Sequence, residues 1–372
     1  MPARGRPVKI LLIRLRLIGD VVFTTPLLGA LKRTFPESRL TYLVERDAAP
    51  VVAGNPHLAE VIVIPRARGW ARVRDDLALA RRLRAERFDV VFDLHGGPRS
   101  SWLTWATGAP QRIGYDIPGR SWQYTRTVHR PRGLQPRHSV VNQWELLTAL
   151  DGWPGTPPDP ARDPGEMAVD AAADVRIVQR LRAAGVDNRH DVVVIHVSAG
   201  NPFRRWPEPA FASLVAGLAS NDERRRIVLS SGPSDRLAAD RIARAARQEL
   251  GHARAGQVLE FGDVDLAELR ALTARSALFV GGDSGPLHVA STTRTPVVGI
   301  YGPTLAARSA PWRNPQIPTE SVQVEGLPCR PCDQRVCAPG DFRCLTRIDP
   351  QAVIAAAERA LAPAGAEVRT HA

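Results

Sequence analysis

Apolar and polar positions along the chain follow two alternating patterns. Short unbroken apolar runs predict buried parallel strands at Lys9–Leu15, Arg39–Glu45, Glu60–Pro65 and Phe88–Leu94. Between them, helical spacing marks Val21–Phe35 and Ala71–Arg87, where Leu77, Leu79 and Leu83 recur among arginines. The pattern then breaks. Pro154, Pro157, Pro158, Pro160 and Pro164 remove backbone donors and favour extended chain, so residues 153–168 read as a linker. Alternation resumes with strands expected at Asp191–Val197, Arg226–Ser231, Gln257–Phe261, Ala277–Gly281 and Pro296–Tyr301. Helices are expected at Pro209–Ser220, Asp235–Leu250, Leu266–Arg275 and Leu287–Thr293, and Asp349-Pro350 opens a last one as N-cap and first residue. Strands alternating with helices predict an α/β protein. Its organisation is two Rossmann-like, doubly wound domains facing a central cleft: residues 1–152, then 169–348, followed by a helix and tail at 349–372.

Length and composition agree with two soluble domains: 372 residues, 44% hydrophobic and 24% charged. No apolar run reaches the roughly 18 residues of a membrane span, and the first residues lack a secretory signal, so the expected location is the cytosol. Charge adds a preference among partners. The net charge is +12, and Lys9 and Lys32 are the only lysines among 50 basic residues. Such a surface favours phosphorylated substrates, anionic membranes or nucleic acid. The excess is concentrated between Arg99 and His138, where seven arginines and two histidines meet Asp116 as the only acid, with Trp102, Trp105, Tyr115, Trp122 and Tyr124 interleaved. That mixture suits sugars bearing phosphates or carboxylates, and equally a single-stranded nucleic acid.

In open parallel sheets ligands sit at the carboxyl ends of strands. Asp20, His95–Arg99, Ser198–Arg204, Gly232–Asp235 and Gly282–His288 all fall there. No GxGxxG, GxxxxGK[ST] or GxSxG is present, which argues against a nicotinamide enzyme, a P-loop ATPase and an α/β-hydrolase. The segment Phe279–His288 runs from a strand through glycines into a helix N-terminus, a phosphate-binding arrangement in which Asp283 can accept from sugar hydroxyls. Capping by Asp283 or Ser284 and a structural His288 stand beside that reading. Arg204 precedes a helix and can grip a diphosphate. Asp20, at a helix start, is held ionised and suits a general base, while a simple N-cap is the alternative. Cys329, Cys332, Cys337 and Cys344 are all the cysteines, in the spacing C-x2-C-x4-C-x6-C. They read as a candidate structural zinc or iron site, with two local disulfides as the alternative.

Taken in order, these segments resemble glycosyltransferase family 9, the ADP-heptose:lipopolysaccharide heptosyltransferases. The resemblance rests on Ile18-Gly19-Asp20, Thr25-Pro26, Asn55-Pro56, Phe88-Asp89 through Leu94-His95-Gly96, and Arg112-Ile113-Gly114. It continues through Arg205-Trp206-Pro207, Ser231-Gly232-Pro233, Asp283-Ser284-Gly285 with His288, and Tyr301-Gly302-Pro303-Thr304, spanning roughly residues 9–360. It implies a GT-B type fold with the acceptor on the N-terminal domain and the nucleotide sugar on the C-terminal one. It implies an inverting, metal-independent transfer of heptose from ADP-heptose to the lipopolysaccharide inner core, at the cytosolic face of the inner membrane. Asp20 would be the base, and Arg204, Asp235, Asp283, Ser284, Gly285 and His288 the donor contacts. Arg204 stands where the family usually has Lys. Arg99 and Arg120 are the candidates for holding the acidic acceptor, and no catalytic cofactor and no nucleic acid are expected. Other readings remain: a relative using another nucleotide sugar or a protein acceptor, and a non-catalytic basic polyanion binder.

Overall fold

The structure is a computed structural model that describes residues 6–64, 69–130, 135–197 and 201–362. Pro65, Arg132, the Ser198–Gly200 part of one strand-end segment and the tail beyond residue 362 lie outside the described residues. The chain divides into two units. One runs to Val169 and includes Trp312–Asn314; the other comprises Asp170–Pro311 and the chain from Pro315 onward.

The first unit holds six parallel strands: β1 (Lys9–Ile13), β2 (Arg39–Glu45), β3 (Leu58–Ile64), β4 (Val90–Asp93), β5 (Gln111–Tyr115) and β6 (Arg126–Val128), in the order β3-β2-β1-β4-β5-β6. The order reverses direction between β1 and β4, which is where doubly wound sheets open a ligand crevice. Leu11, Ile13, Leu43 and Val91 form a buried core with Leu79 and Leu83 of helix Gly69–Ala85 and Leu103 of helix Pro98–Ala106. The predicted helix over Val21–Phe35 is two helices, Ile18–Val22 and Pro26–Thr34, because Pro26 has no N–H to continue the ladder.

The proline-rich stretch is not a loose tether. Asp163 is buried and ion-paired to Arg33 and Arg162, its carbonyl accepts from Trp312 Nε1 at 2.8 Å, and Glu166 N donates to Thr25 Oγ1 at 2.8 Å.

The second unit repeats the architecture with β7 (Asp191–His196), β8 (Arg225–Ser230), β9 (Val258–Leu259), β10 (Leu278–Gly282), β11 (Val297–Tyr301) and β12 (Thr319–Gln323), in the order β12-β11-β10-β7-β8-β9. All neighbours in it are parallel. The last helix, Pro350–Leu361, belongs to this unit's core through Val353, Ile354, Ala356 and Ala357. A Cβ on Gly217 would lie 2.5 Å from Ile354 Cδ1, so a larger residue there requires the Ile354 side chain to shift. These two six-stranded parallel sheets with helices are the GT-B type fold.

Candidate functional site

In the first unit the site is built at the carboxyl ends of β1 and β4. Arg14, one residue past β1, is buried inside an otherwise apolar run, and a buried guanidinium needs partners. It finds two: Nη1 donates to the Leu94 carbonyl at 2.7 Å, and Nη2 pairs with Asp20 Oδ2. Asp20 sits in the first turn of helix Ile18–Val22, with its side chain 30% exposed against 8% for Arg14. The buried arginine therefore pins one carboxylate oxygen, and Oδ1 has no side-chain partner among the described residues. The turn that aims this helix carries Leu17 at φ 62°, a left-handed conformation costly for a leucine, with the side chain largely exposed.

Asp93, at the end of β4, organises the next loop. It is fully buried and accepts from Gly96 N at 2.8 Å, His95 N at 3.0 Å, Ser100 Oγ at 3.0 Å and Tyr124 Oη at 2.7 Å. Burial pushes its carboxyl up, opposed by those four donors. The Asp93-centred loop presents His95, whose imidazole is pushed down to about 4 by burial and by the charges of Arg14, Arg16 and Arg130, with Asp20 opposing. A neutral histidine among three guanidiniums and one carboxylate marks a strongly positive cluster at these strand ends. Arg130 lies 5.0 Å over the Tyr115 ring.

The two arginines expected to hold the acceptor differ. Arg99 is committed elsewhere: Nη1 pairs with Glu45 Oε1 at 3.0 Å and Nη2 with Asp76 Oδ1 at 2.6 Å, with 13% of the side chain exposed. Its charge is spent tying helix Pro98–Ala106 to helix Gly69–Ala85 and β2, so the expected acceptor role has no geometric support. Arg120 Nη1, by contrast, is buried without a hydrogen-bond partner among the described residues.

In the second unit the carboxyl end of β10 brings Asp283, His288 and Arg204 together. Arg204 Nη1 lies 3.1 Å from both Asp283 Oδ2 and the Asp283 carbonyl, and His288 Nε2 lies 3.5 Å from Asp283 Oδ1. Burial raises the Asp283 carboxyl, but the hydrogen bond from His288, the charge of Arg204 and a hydrogen bond from Thr304 outweigh it, and it sits below the usual value. Ser284 precedes helix Gly285–Ser291, but its hydroxyl makes no capping bond and is buried without a partner among the described residues. Asp235 is buried and paired to Arg205 Nη2 at 3.1 Å, just before helix Arg236–Arg254. Its neighbour His196 is pushed down to about 4 by burial, opposed by Asp235.

The structure gives no support to a metal at Cys329, Cys332, Cys337 and Cys344. All four are free thiols, and among the described residues no three His, Cys, Asp or Glu side chains are grouped to hold an ion. The thiols instead line a mainly apolar cavity of about 210 Å³ with Phe203, Pro303 and Phe342. Burial raises the Cys344 thiol above its usual value.

Sequence reasoning missed Arg14 and Gln334, and gave no individual role to Arg130, Asn201, Arg205 or Thr304, although each lies in a segment it singled out. Arg14 left a signal, a charge inside an apolar strand-like run.

A sequence model of the family described as Glycosyltransferase family 9 (heptosyltransferase) matches residues 77–340. Lipopolysaccharide heptosyltransferase 3 of Escherichia coli is 27% identical over 328 residues, covering 86% of this chain and 91% of that protein. A glycosyl transferase family 9 structure from Veillonella parvula superposes with TM-score 0.77 at 22% identity, covering 96% of this chain and 97% of the other. The E. coli ADP-heptose lps heptosyltransferase II structure gives TM-score 0.72 at 19% identity, covering 95% and 98%.

Proposed function

The chain belongs to glycosyltransferase family 9, and from that premise we propose that it transfers heptose from ADP-heptose to the inner core of lipopolysaccharide. The transfer is inverting and needs no metal. The acceptor hydroxyl gives its proton to Asp20 as its oxygen forms a bond to the anomeric carbon. The bond from that carbon to the diphosphate breaks on the opposite face, and ADP leaves. Asp20 is a weak base, so the proton moves late, when the attacking hydroxyl has become acidic. Arg204 stabilises charge on the departing diphosphate, and Asp283, Ser284, Gly285 and His288 hold the donor. Asp235, buried and paired to Arg205 just before helix Arg236–Arg254, is a further donor contact.

The observation that carries this reading is the Asp20 carboxylate. It is held by buried Arg14 with one oxygen left over, beside His95, which burial and then the charges of Arg14, Arg16 and Arg130 push towards the neutral form. A lone carboxylate among guanidiniums suits proton removal from an acceptor that carries phosphates or carboxylates. Arg120, with its buried unpartnered Nη1, takes one such group.

The enzyme works against an anionic membrane surface, where such an acceptor is anchored. Among the described residues no helix is long and apolar enough to cross a membrane. Helix Gly69–Ala85 instead exposes Trp70, Val73 and Leu77, spaced three and four apart, beside exposed Arg74 and Arg81. An apolar stripe edged by arginines suits an interface of anionic headgroups.

The test is calorimetric titration with ADP, UDP, GDP and NAD, with and without Mg²⁺, followed by assay of ADP release from ADP-heptose with a heptose-deficient core acceptor. Saturable ADP binding without metal and a product of inverted anomeric configuration support the proposal. Preference for UDP or GDP removes heptose while keeping the family. Folded protein that binds no nucleotide overturns the transferase reading.

A further inference from the structure

Gln334 carries the cysteine-rich segment to the Arg204 side chain of the donor site. Its Oε1 accepts from Arg204 Nε at 2.8 Å and from Asn201 Nδ2 at 2.8 Å. Its amide Nε2 lies 3.5 Å from Thr304 Oγ1. Its backbone is fixed as well: Gln334 N donates to Cys332 Sγ at 3.3 Å, Cys332 N to the Pro303 carbonyl at 3.3 Å, and Gln334 sits at φ 60°. On the other side of the segment, Arg330 Nη2 donates to the Thr304 carbonyl at 2.8 Å.

We propose that Gln334 is a positioning residue for the donor diphosphate. It sets the plane of the Arg204 guanidinium, so that Nε and Nη1 are occupied and Nη2 is presented to phosphate. This rests on the nucleotide-sugar reading above. The physical need is particular to arginine. A lysine ammonium is a point donor that finds phosphate from many orientations, whereas a guanidinium binds well only when its planar fork is correctly turned. Arg204 is about one-third exposed, so without restraint it samples many rotamers, and each must be surrendered on binding. Gln334 on Nε and Asp283 on Nη1 fix the plane from two edges, and among the described residues nothing engages Nη2. Cys332 thereby acquires a role that requires no metal, holding the turn that aims Gln334.

The experiment is a double-mutant cycle over Gln334→Ala and Arg204→Lys, read as ADP affinity by calorimetry on the full chain, with urea unfolding of each variant without ligand. With Arg204 present, Gln334→Ala is expected to weaken ADP about five- to tenfold. In the Arg204→Lys background, which has no Nε, the same change is expected to alter affinity less than twofold. A merely structural Gln334 lowers stability equally in both backgrounds and leaves ADP affinity additive, and that result overturns the proposal. If the parent protein itself binds no ADP, the nucleotide-sugar reading falls and the phosphate role with it. Normal binding by the parent with an additive cycle refutes Gln334 alone.

Discussion

Replacing Asp20 with Asn and with Ala separates its chemical role from its structural one. Arg14 has 8% of its side chain exposed and keeps the Leu94 carbonyl in every variant. Ala removes the partner of Nη2 and strands part of a buried cation. Breaking a fully buried pair costs about 3–5 kcal/mol. Asp20 is 30% exposed, so water reaches the vacated space and the cost falls to about 1–3 kcal/mol. For a unit of this size that lowers the melting temperature by roughly 3–10 °C. Asn keeps an oxygen that accepts from Nη2 and loses only the charge, so its cost stays near 1 kcal/mol. Turnover separates the variants differently. Neither Asn nor Ala can take a proton, and loss of a general base typically costs about 10²–10⁴ in rate, or ~3–5 kcal/mol of barrier. The assay is coupled detection of ADP release at saturating donor, with ADP affinity and thermal melting measured on the same preparations. Both variants should bind ADP within twofold of the parent and turn over at least a hundredfold more slowly, although only Ala melts much lower. An Asn variant that retains a tenth or more of the parent kcat refutes the assignment of Asp20 as the base.

Tyr124→Phe deletes the 2.7 Å donation to buried Asp93. It should cost about 1–3 kcal/mol in urea unfolding and raise acceptor KM more than donor KM, because the disturbed loop carries His95. His196 is buried and lowered to about 4, so the native state stays neutral while the unfolded chain takes up a proton near pH 6.5. Stability from this group is thus present above pH 6.5 and lost as pH falls towards 4. By pH 5 the loss is about 2 kcal/mol, and urea midpoints between pH 8 and 5 should flatten in His196→Gln. Trp70→Ala is expected to reduce cosedimentation with phosphatidylglycerol vesicles several-fold without changing ADP affinity; unchanged cosedimentation refutes the membrane face. Gly114→Ala places a Cβ 2.4 Å from the Tyr124 ring, and expression of a stable variant with parental melting would refute this close approach of the ring to β5.

Most of the fold was legible because a parallel strand covered on both faces must be continuously apolar. β1, β2, β4, β7, β8, β10 and β11 appear within one or two residues of their expected bounds. The strands not anticipated are β5, β6 and β12, with compositions QRIGY, RTV and TESVQ. β6 and β12 are edges with partly exposed positions, where polar residues are tolerated and the apolar signal fades. β9 shrank to Val258–Leu259 for the same reason. Helix Pro98–Ala106 was hidden because its buried face is made of Ser100, Ser101 and Thr104 beside Leu103, which no hydrophobic period reveals.

The chemistry divides along the same line. Sequence alone determined the alternating architecture, the carboxyl-end placement of Asp20 and Asp283, and the excess of arginine, since each follows from local order along the chain. Which arginines are spent and which are available was decided only by tertiary structure. Arg99 is neutralised by Asp76 and Glu45, 23 and 54 residues away; Arg204 is held by Asp283 and Gln334, 79 and 130 residues away. A guanidinium has the same composition whether it closes an internal salt bridge or waits for phosphate. Its function depends on which carboxylates and carbonyls the fold brings within about 3 Å, and long-range packing sets that distance.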